Sequence, residues 1–522
     1  MTDRAARDRT PLAPRTIAAI AALVVLVGAI ASITPDPIGV FWDDGVYLLT
    51  AKALAAGEGY RYAYLPGAPP AIHYPPGFPL LLAALLRVTP DFPANVAVLK
   101  LLNPLCLALG AYGAARLGAR VLRLGAVPAA VAVAICALIA PVLVLTNVLL
   151  SESLFFALLT WTLIAAEEAV TGGGTRRALA AGALCALLAL VRTVGGVMIP
   201  ASVIALWWRG RRREAVLLLA AAAVLLAPWQ LWVWAAARGF PDELRGSYGP
   251  YLEWVVNGYR QDPRLALEVL AKNSGDLWRA FGIVFAPRLP HVVQLGAAFA
   301  LLTAFGAGLA ALARRAPVLL LFLLAYGAIV LLWPYNPERF VWAVWPLAGL
   351  VLVAAARDAG AWLAPRWPAA PRVVIIGVAL LLTGHAAYAA RGLVAGWAGA
   401  PQRAMTARLW PLVQWSVTHA GPGDIVASDG HVMIALYTGR TTMPVSVLTP
   451  AEHVREKPVA QFADELWALD ARYRPTLLVL SPGTAETEAV PVFARRDGAP
   501  HVIALPPVPG GGSAFALRRS RE

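Results

Sequence analysis

Up to about residue 395 the chain is a series of long apolar runs separated by short polar or basic loops. A membrane-spanning helix takes about 20 mostly apolar residues. The first run, Thr16 to Thr34, meets that length and has no clear small-residue cleavage site, so it reads as an uncleaved signal-anchor. Further runs of spanning character cover 96–116, 127–147, 153–170, 178–193, 195–208, 214–236, 291–312, 317–334, 339–356 and 373–391. Together they predict about 11 crossings. A polar, aromatic, Pro-rich stretch from Pro35 to Asn95 follows the first run, and its own apolar segment, Gly77–Val88, is short for a crossing. After Ala400 the pattern changes. Asp424–Ser428, Val432–Leu436, Thr476–Leu480, Val502–Leu505 and Ala514–Leu517 read as strands, with helical segments at 403–419 and 459–471. Turn signals such as Gly421-Pro422-Gly423-Asp424 bound them.

The fold class expected is a polytopic α-helical membrane protein with a small C-terminal α/β domain. Its parts are a tail over 1–15, a transmembrane domain over 16–395 and the α/β domain over 400–522. Outer loops fall at 35–95 and 237–290.

Charge orients this arrangement. Hydrophobic residues make up 59% of the chain and charged residues 14%, which excludes an ordinary soluble enzyme and a disordered or disulfide-stapled chain. Lys and Arg total 44 against 30 acids, a net +14. The basic residues gather between apolar runs: Arg4/Arg7/Arg9/Arg15, Arg116/Arg120/Arg123, Arg176/Arg177, Arg209/Arg211/Arg212/Arg213, Arg314/Arg315 and Arg357/Arg366/Arg372. Basic loops stay cytoplasmic, so the charge reports topology and no nucleic-acid partner. All these clusters share one side if Gly77–Val88 is interfacial or re-entrant; if it crossed, every later cluster would invert. The expected location is a bacterial-type inner membrane, with the amino terminus cytoplasmic and the C-terminal domain extracytoplasmic. Cys106, Cys136 and Cys185 fall inside apolar runs and show no disulfide or metal pattern.

Five places then put ionisable groups at the outer boundary: Asp43/Asp44, Arg61 to Tyr74, Glu152, Arg192 and Glu338/Arg339. A cavity opening outward accounts for all five. A carboxylate at Asp43 or Asp44, screened by Trp42 and Tyr47, would suit a general base, the alternative being a hydrated loop. Glu152 lies between apolar stretches, where an acid is a functional candidate; the alternative is an N-terminal arrangement with Ser151 as cap. Arg339 offers a planar fork for phosphate oxygens, against a local pair with Glu338 or anchoring beside Trp342 and Trp345. Arg192 could serve similarly or snorkel, and His73 reads as a hydrogen-bonded loop residue as readily as a ligand. No phosphate loop, His-Glu-x-x-His, Gly-x-Gly-x-x-Gly or Asp-x-Asp occurs, so no cofactor is expected to be obligatory, with divalent metal use left open.

The stretch from Asp43-Asp44-Gly45-Val46-Tyr47 to Gly57-Glu58-Gly59-Tyr60-Arg61, followed by His73-Tyr74-Pro75-Pro76-Gly77, resembles the first outer loop of the GT-C glycosyltransferases. The likeness is greatest to family 39, which includes protein O-mannosyltransferases and aminoarabinose transferases to lipid A. Glu152 matches the place of a second acid, and Arg339-Phe340 with Pro346 resembles an Arg-aromatic element before a late span. Where the aminoarabinose transferases have lysine before Pro-Pro, this chain has Tyr74. The resemblance implies transfer of a sugar from a polyprenyl-phosphate donor to a hydroxyl of a protein, lipid or glycan acceptor, with inversion. It implies Asp43, or else Asp44, as base, with Glu152 as second acid. Arg339, helped by Arg61 or Arg192, would meet the phosphate, and Tyr47, His73 and Tyr74 would line the substrate site. The rival reading is a transporter or flippase for a lipid-linked glycan or small solute, a class marked by repeats and interrupted helices.

Overall fold

The computed structural model describes residues 12–519, so Arg4, Arg7 and Arg9 and most of the 1–15 tail lie outside the described residues. Among the described residues, seven helices are long and apolar enough to cross a membrane: Pro14–Ala31, Val96–Arg120, Glu152–Gly172, Arg212–Ala237, His291–Arg315, Pro337–Leu363 and Ala370–Val394. They make this an integral membrane protein. Arg212–Ala237 and Ala370–Val394 are the least buried, and expose Val224, Leu231, Ile375 and Leu380 where lipid would cover them.

The span expected over 127–147 is broken. Ala126–Ala137 and Ala140–Asn147 meet at 64° and together give an eighth candidate. Ile139 leaves helical geometry with ψ 147, and Pro141 in the next turn has no N–H with which to continue the ladder. The expected spans 178–193, 195–208 and 317–334 appear as the shorter helices Thr175–Val191, Thr193–Trp208 and Pro317–Leu332. Among the described residues, length and composition alone therefore identify seven candidate spans, or eight with the bent pair. Glu167, buried within the bundle, accepts from the backbone N–H groups of Val318 and Leu319 at 2.9 and 3.0 Å, satisfying the open end of Pro317–Leu332.

Gly77–Val88 packs along the Asp43–Ala55 helix and against the end of Thr175–Val191. The contact at Gly77 is close: a Cβ there would come 2.7 Å from the Leu190 carbonyl oxygen. Only glycine lets the Pro-Pro-Gly turn meet that backbone.

The C-terminal part is a five-stranded sheet in the order β2-β1-β3-β5-β4. Its strands are β1 (Ile425–Ser428), β2 (Thr441–Met443), β3 (Leu477–Leu480), β4 (His501–Ala504) and β5 (Ser513–Arg518). β1 pairs in parallel with β2 and β3, while β5 runs antiparallel to β3 and β4. One expected strand is corrected: Val432–Leu436 lies in the helix His431–Thr438. A short apolar run buried on all sides has no alternation to tell strand from helix, and Gly439 in left-handed geometry ends this one. The strand place it vacates is taken by β2, and Ala485–Ala494 adds a helix the pattern did not announce.

Candidate active site

The acid pair divides at the start of the Asp43–Ala55 helix. Successive helical side chains point in different directions, so one carboxylate faces outward and the other faces the core. Asp44 is fully buried and accepts from the backbone N–H groups of Gly39 at 2.7 Å and Phe41 at 2.9 Å. Burial pushes its carboxyl up to about 6, with those N–H groups pulling the other way. It holds the turn and does not line the cavity.

Asp43 does line the cavity. Its Oδ2 receives Arg339 Nη1 at 2.6 Å, and its Oδ1 receives the Tyr74 hydroxyl. Arg339 Nε reaches on to Glu152 Oε1, which also receives Arg192 Nη1 at 2.7 Å. Arg192 donates further to Ser151 Oγ at 3.1 Å, and the Tyr47 hydroxyl lies 3.2 Å from the same oxygen. Residues far apart in sequence thus form one chain of contacts in which two carboxylates face two guanidiniums. Each long element contributes its end: Glu152 opens Glu152–Gly172, Arg192 follows Thr175–Val191, and Arg339 sits in the first turn of Pro337–Leu363. Ser151 makes no capping bond, its hydroxyl being turned to Tyr47 and Arg192. Arg339 pairs with Asp43 and Glu152, not with Glu338. The network is incomplete. Glu152 Oε2 and Arg339 Nη2 are buried without a hydrogen-bond partner, a state that ordinarily costs free energy.

The cavity has a volume of about 430 Å³. His73 lines it with Nδ1 2.6 Å from the Gly249 carbonyl, so that nitrogen donates, and burial lowers the ring to about 4 and keeps it neutral. Tyr47, Tyr74 and Arg192 line it as well. Arg61 does not. Along Tyr60-Arg61-Tyr62-Ala63-Tyr64 the tyrosines turn inward and Arg61 outward to solvent, away from the cavity. Sequence reasoning missed Tyr251, Trp254 and Trp333, and the whole contribution of the C-terminal unit. Ser428 ends β1 and Asp429 and His431 follow it, Pro444 to Ser446 follow β2, and Glu486 lies in the first turn of the helix after β3. The carboxyl ends of three parallel strands therefore roof the cavity, the usual ligand side of such a sheet. Among the described residues no group of three or more His, Cys, Asp or Glu side chains is placed to hold a metal ion.

No protein-family model matches the chain, and no curated sequence does. Solved structures do. ArnT from Cupriavidus metallidurans bound to undecaprenyl phosphate superposes with TM-score 0.53 at 14% identity, over 97% of this chain and 99% of that one. ArnT from Cupriavidus metallidurans in the apo state gives TM-score 0.52 at 15% identity, over 97% and 98%. Likeness at such identity concerns the fold alone, and the chain shares the fold of these two structures over nearly its whole length.

Proposed function

We propose that the chain is a membrane glycosyltransferase that moves a sugar from a polyprenyl-phosphate donor to an acceptor hydroxyl, with inversion, at the extracytoplasmic face. The observation that carries this reading is the contact chain Asp43–Arg339–Glu152–Arg192, in which Asp43, Arg192 and Arg339 line the cavity and Glu152 is buried behind them, with Arg339 Nη2 left open. A phosphate oxygen is the kind of partner that atom lacks. In a single displacement the acceptor oxygen bonds to the anomeric carbon and gives its proton to Asp43. The bond from that carbon to the phosphate oxygen breaks, and its electron pair leaves with the phosphate. Arg339 and Arg192 stabilise the departing anion, and Glu152 holds both guanidiniums in place. Tyr74, in the position of the lysine of aminoarabinose transferases, serves Asp43 instead of the phosphate. Neither a cofactor nor a metal is invoked. The reading keeps about 11 crossings, the cytoplasmic amino terminus in an inner membrane and the extracytoplasmic C-terminal domain over 400–522. The acceptor is a protein, lipid or glycan. Transport fits less well, because the paired charges gather at helix ends around one cavity instead of running through the bundle.

The test is sugar transfer in membranes supplied with a polyprenyl-phosphate sugar. Asp43→Asn is expected to lower the rate about 10²–10⁴-fold with expression intact. Retained transfer would remove Asp43 from the mechanism, and no transfer by the wild type with any donor would favour the transporter.

A further inference from the structure

The loop that presents Asp43 is gripped by the C-terminal unit. Trp42, just before Asp43, has φ 62 and ψ −68, a backbone region that L side chains rarely adopt. Such a conformation persists only where the surroundings enforce it. The Trp42 indole meets the His431 ring edge-on, with 4.7 Å between centroids, and the Tyr248 ring at 5.5 Å. His431 is fixed at both nitrogens: Nε2 lies 2.6 Å from the Tyr248 hydroxyl and Nδ1 lies 3.1 Å from the Ser428 carbonyl. A carbonyl can only accept, so Nδ1 carries the proton and Nε2 accepts from the tyrosine. The ring is fully buried, and that neutral tautomer suits it. The rest of the His431–Thr438 helix interlocks with the same loop. A Cβ at Gly45 would come 2.4 Å from Val432 Cγ1, and the Ile38 backbone N–H donates to the Tyr437 hydroxyl at 3.0 Å.

We propose that His431 is a positioning residue for transfer, which acts through Trp42 to hold Asp43 in the orientation it needs as base. The C-terminal unit is then a working part of the active centre. The inference rests on the reading of Asp43 as that base. Its energetic lever is orientation, since a misplacement of about 1 Å at a reacting group lowers a rate about 100-fold.

The experiment uses the full-length protein in lipid nanodiscs with a polyprenyl-phosphate sugar as donor, and polyprenyl phosphate alone as the binding probe. His431→Phe removes both hydrogen bonds and keeps a ring. It is expected to lower kcat about 10- to 100-fold, with donor KM and probe affinity within about twofold of wild type. His431→Gln, whose amide oxygen can accept from Tyr248, is expected to recover most of that loss. Tyr248→Phe removes one oxygen and leaves the packing; it should show the same split in weaker form, and it carries the test if His431→Phe does not fold. A kcat within about threefold of wild type in the folded variants overturns the proposal, as does a loss shared equally by kcat and probe affinity. Failure of the underlying reading looks different: Asp43→Asn would then retain transfer whatever the His431 variants do.

Discussion

His73 and His431 both line the cavity, and burial holds both below the ordinary histidine value of 6.5, at about 4 and about 3. Each is neutral in the folded protein over a range where the unfolded chain would bind a proton. The stability they contribute is complete above the unfolded value and is lost as pH falls from 6.5 toward 4 and 3. Each loses up to about 1.4 kcal/mol per pH unit. Asp44, raised from 3.8 to about 6, works in the opposite sense, and its contribution grows on acidification through that interval. Thermal unfolding in detergent micelles across pH 7 to 4 reads the histidine effect directly. The stability gap between wild type and His431→Gln is expected to narrow as the pH falls; a constant gap would contradict the assignment of a neutral buried ring. At this scale the sequence was informative wherever a charge interrupts an apolar run. Asp43, Glu152, Arg192 and Arg339 stand out because water is scarce around them, and the structure joins all four. The choice between Asp43 and Asp44 was not legible, because it depends on the direction in which one helix enters the core. The outward turn of Arg61 was not legible for a similar reason, since a loop carries no periodicity to say which side chain turns in.

Among the elements, the Gly77–Val88 helix has a task its composition does not disclose. It wedges against the last turn of Thr175–Val191 at the Leu190 carbonyl, two residues before Arg192. Gly77→Ala would press a methyl group to 2.7 Å from that oxygen, and backbone cannot yield as a side-chain tip can. The expected result is a loss of about 1–3 kcal/mol in stability, with weaker binding of polyprenyl phosphate as Arg192 shifts. Calorimetry of folded variant and titration with the lipid phosphate would measure the two parts separately, and unchanged values for both would refute the account. Long helices were legible because twenty apolar residues in lipid leave few choices of structure. The bend at Ile139 was less so. A proline early in a helix and a proline that breaks one look alike until the neighbouring dihedral angles are known. Val432–Leu436 reads as a strand in the sequence because its complete burial erases the alternation on which the distinction depends.

On the scale of the whole molecule, the cavity belongs to neither part alone. The membrane portion supplies its charged wall and the carboxyl ends of β1, β2 and β3 supply its roof. Sequence could locate both parts but not their apposition, since contacts such as Arg455 with Asp262 and Glu268, or Trp42 with His431, join residues hundreds of positions apart or lie at surfaces without pattern. The joint construction also bears on timing. At rest both Asp43 oxygens are already engaged, one by Arg339 and the other by the Tyr74 hydroxyl, so an alcohol arriving first meets an occupied carboxylate. A lipid phosphate that draws the guanidinium toward itself would unmask that carboxylate. On the proposed chemistry the two substrates therefore bind in compulsory sequence, donor leading. Initial-rate kinetics should show the acceptor failing to bind productively until the donor is seated, and a random-order pattern would speak against it. The same unmasking leaves a seated donor open to attack by water until an acceptor arrives, so slow donor hydrolysis in the absence of acceptor is expected, and Asp43→Asn should suppress it.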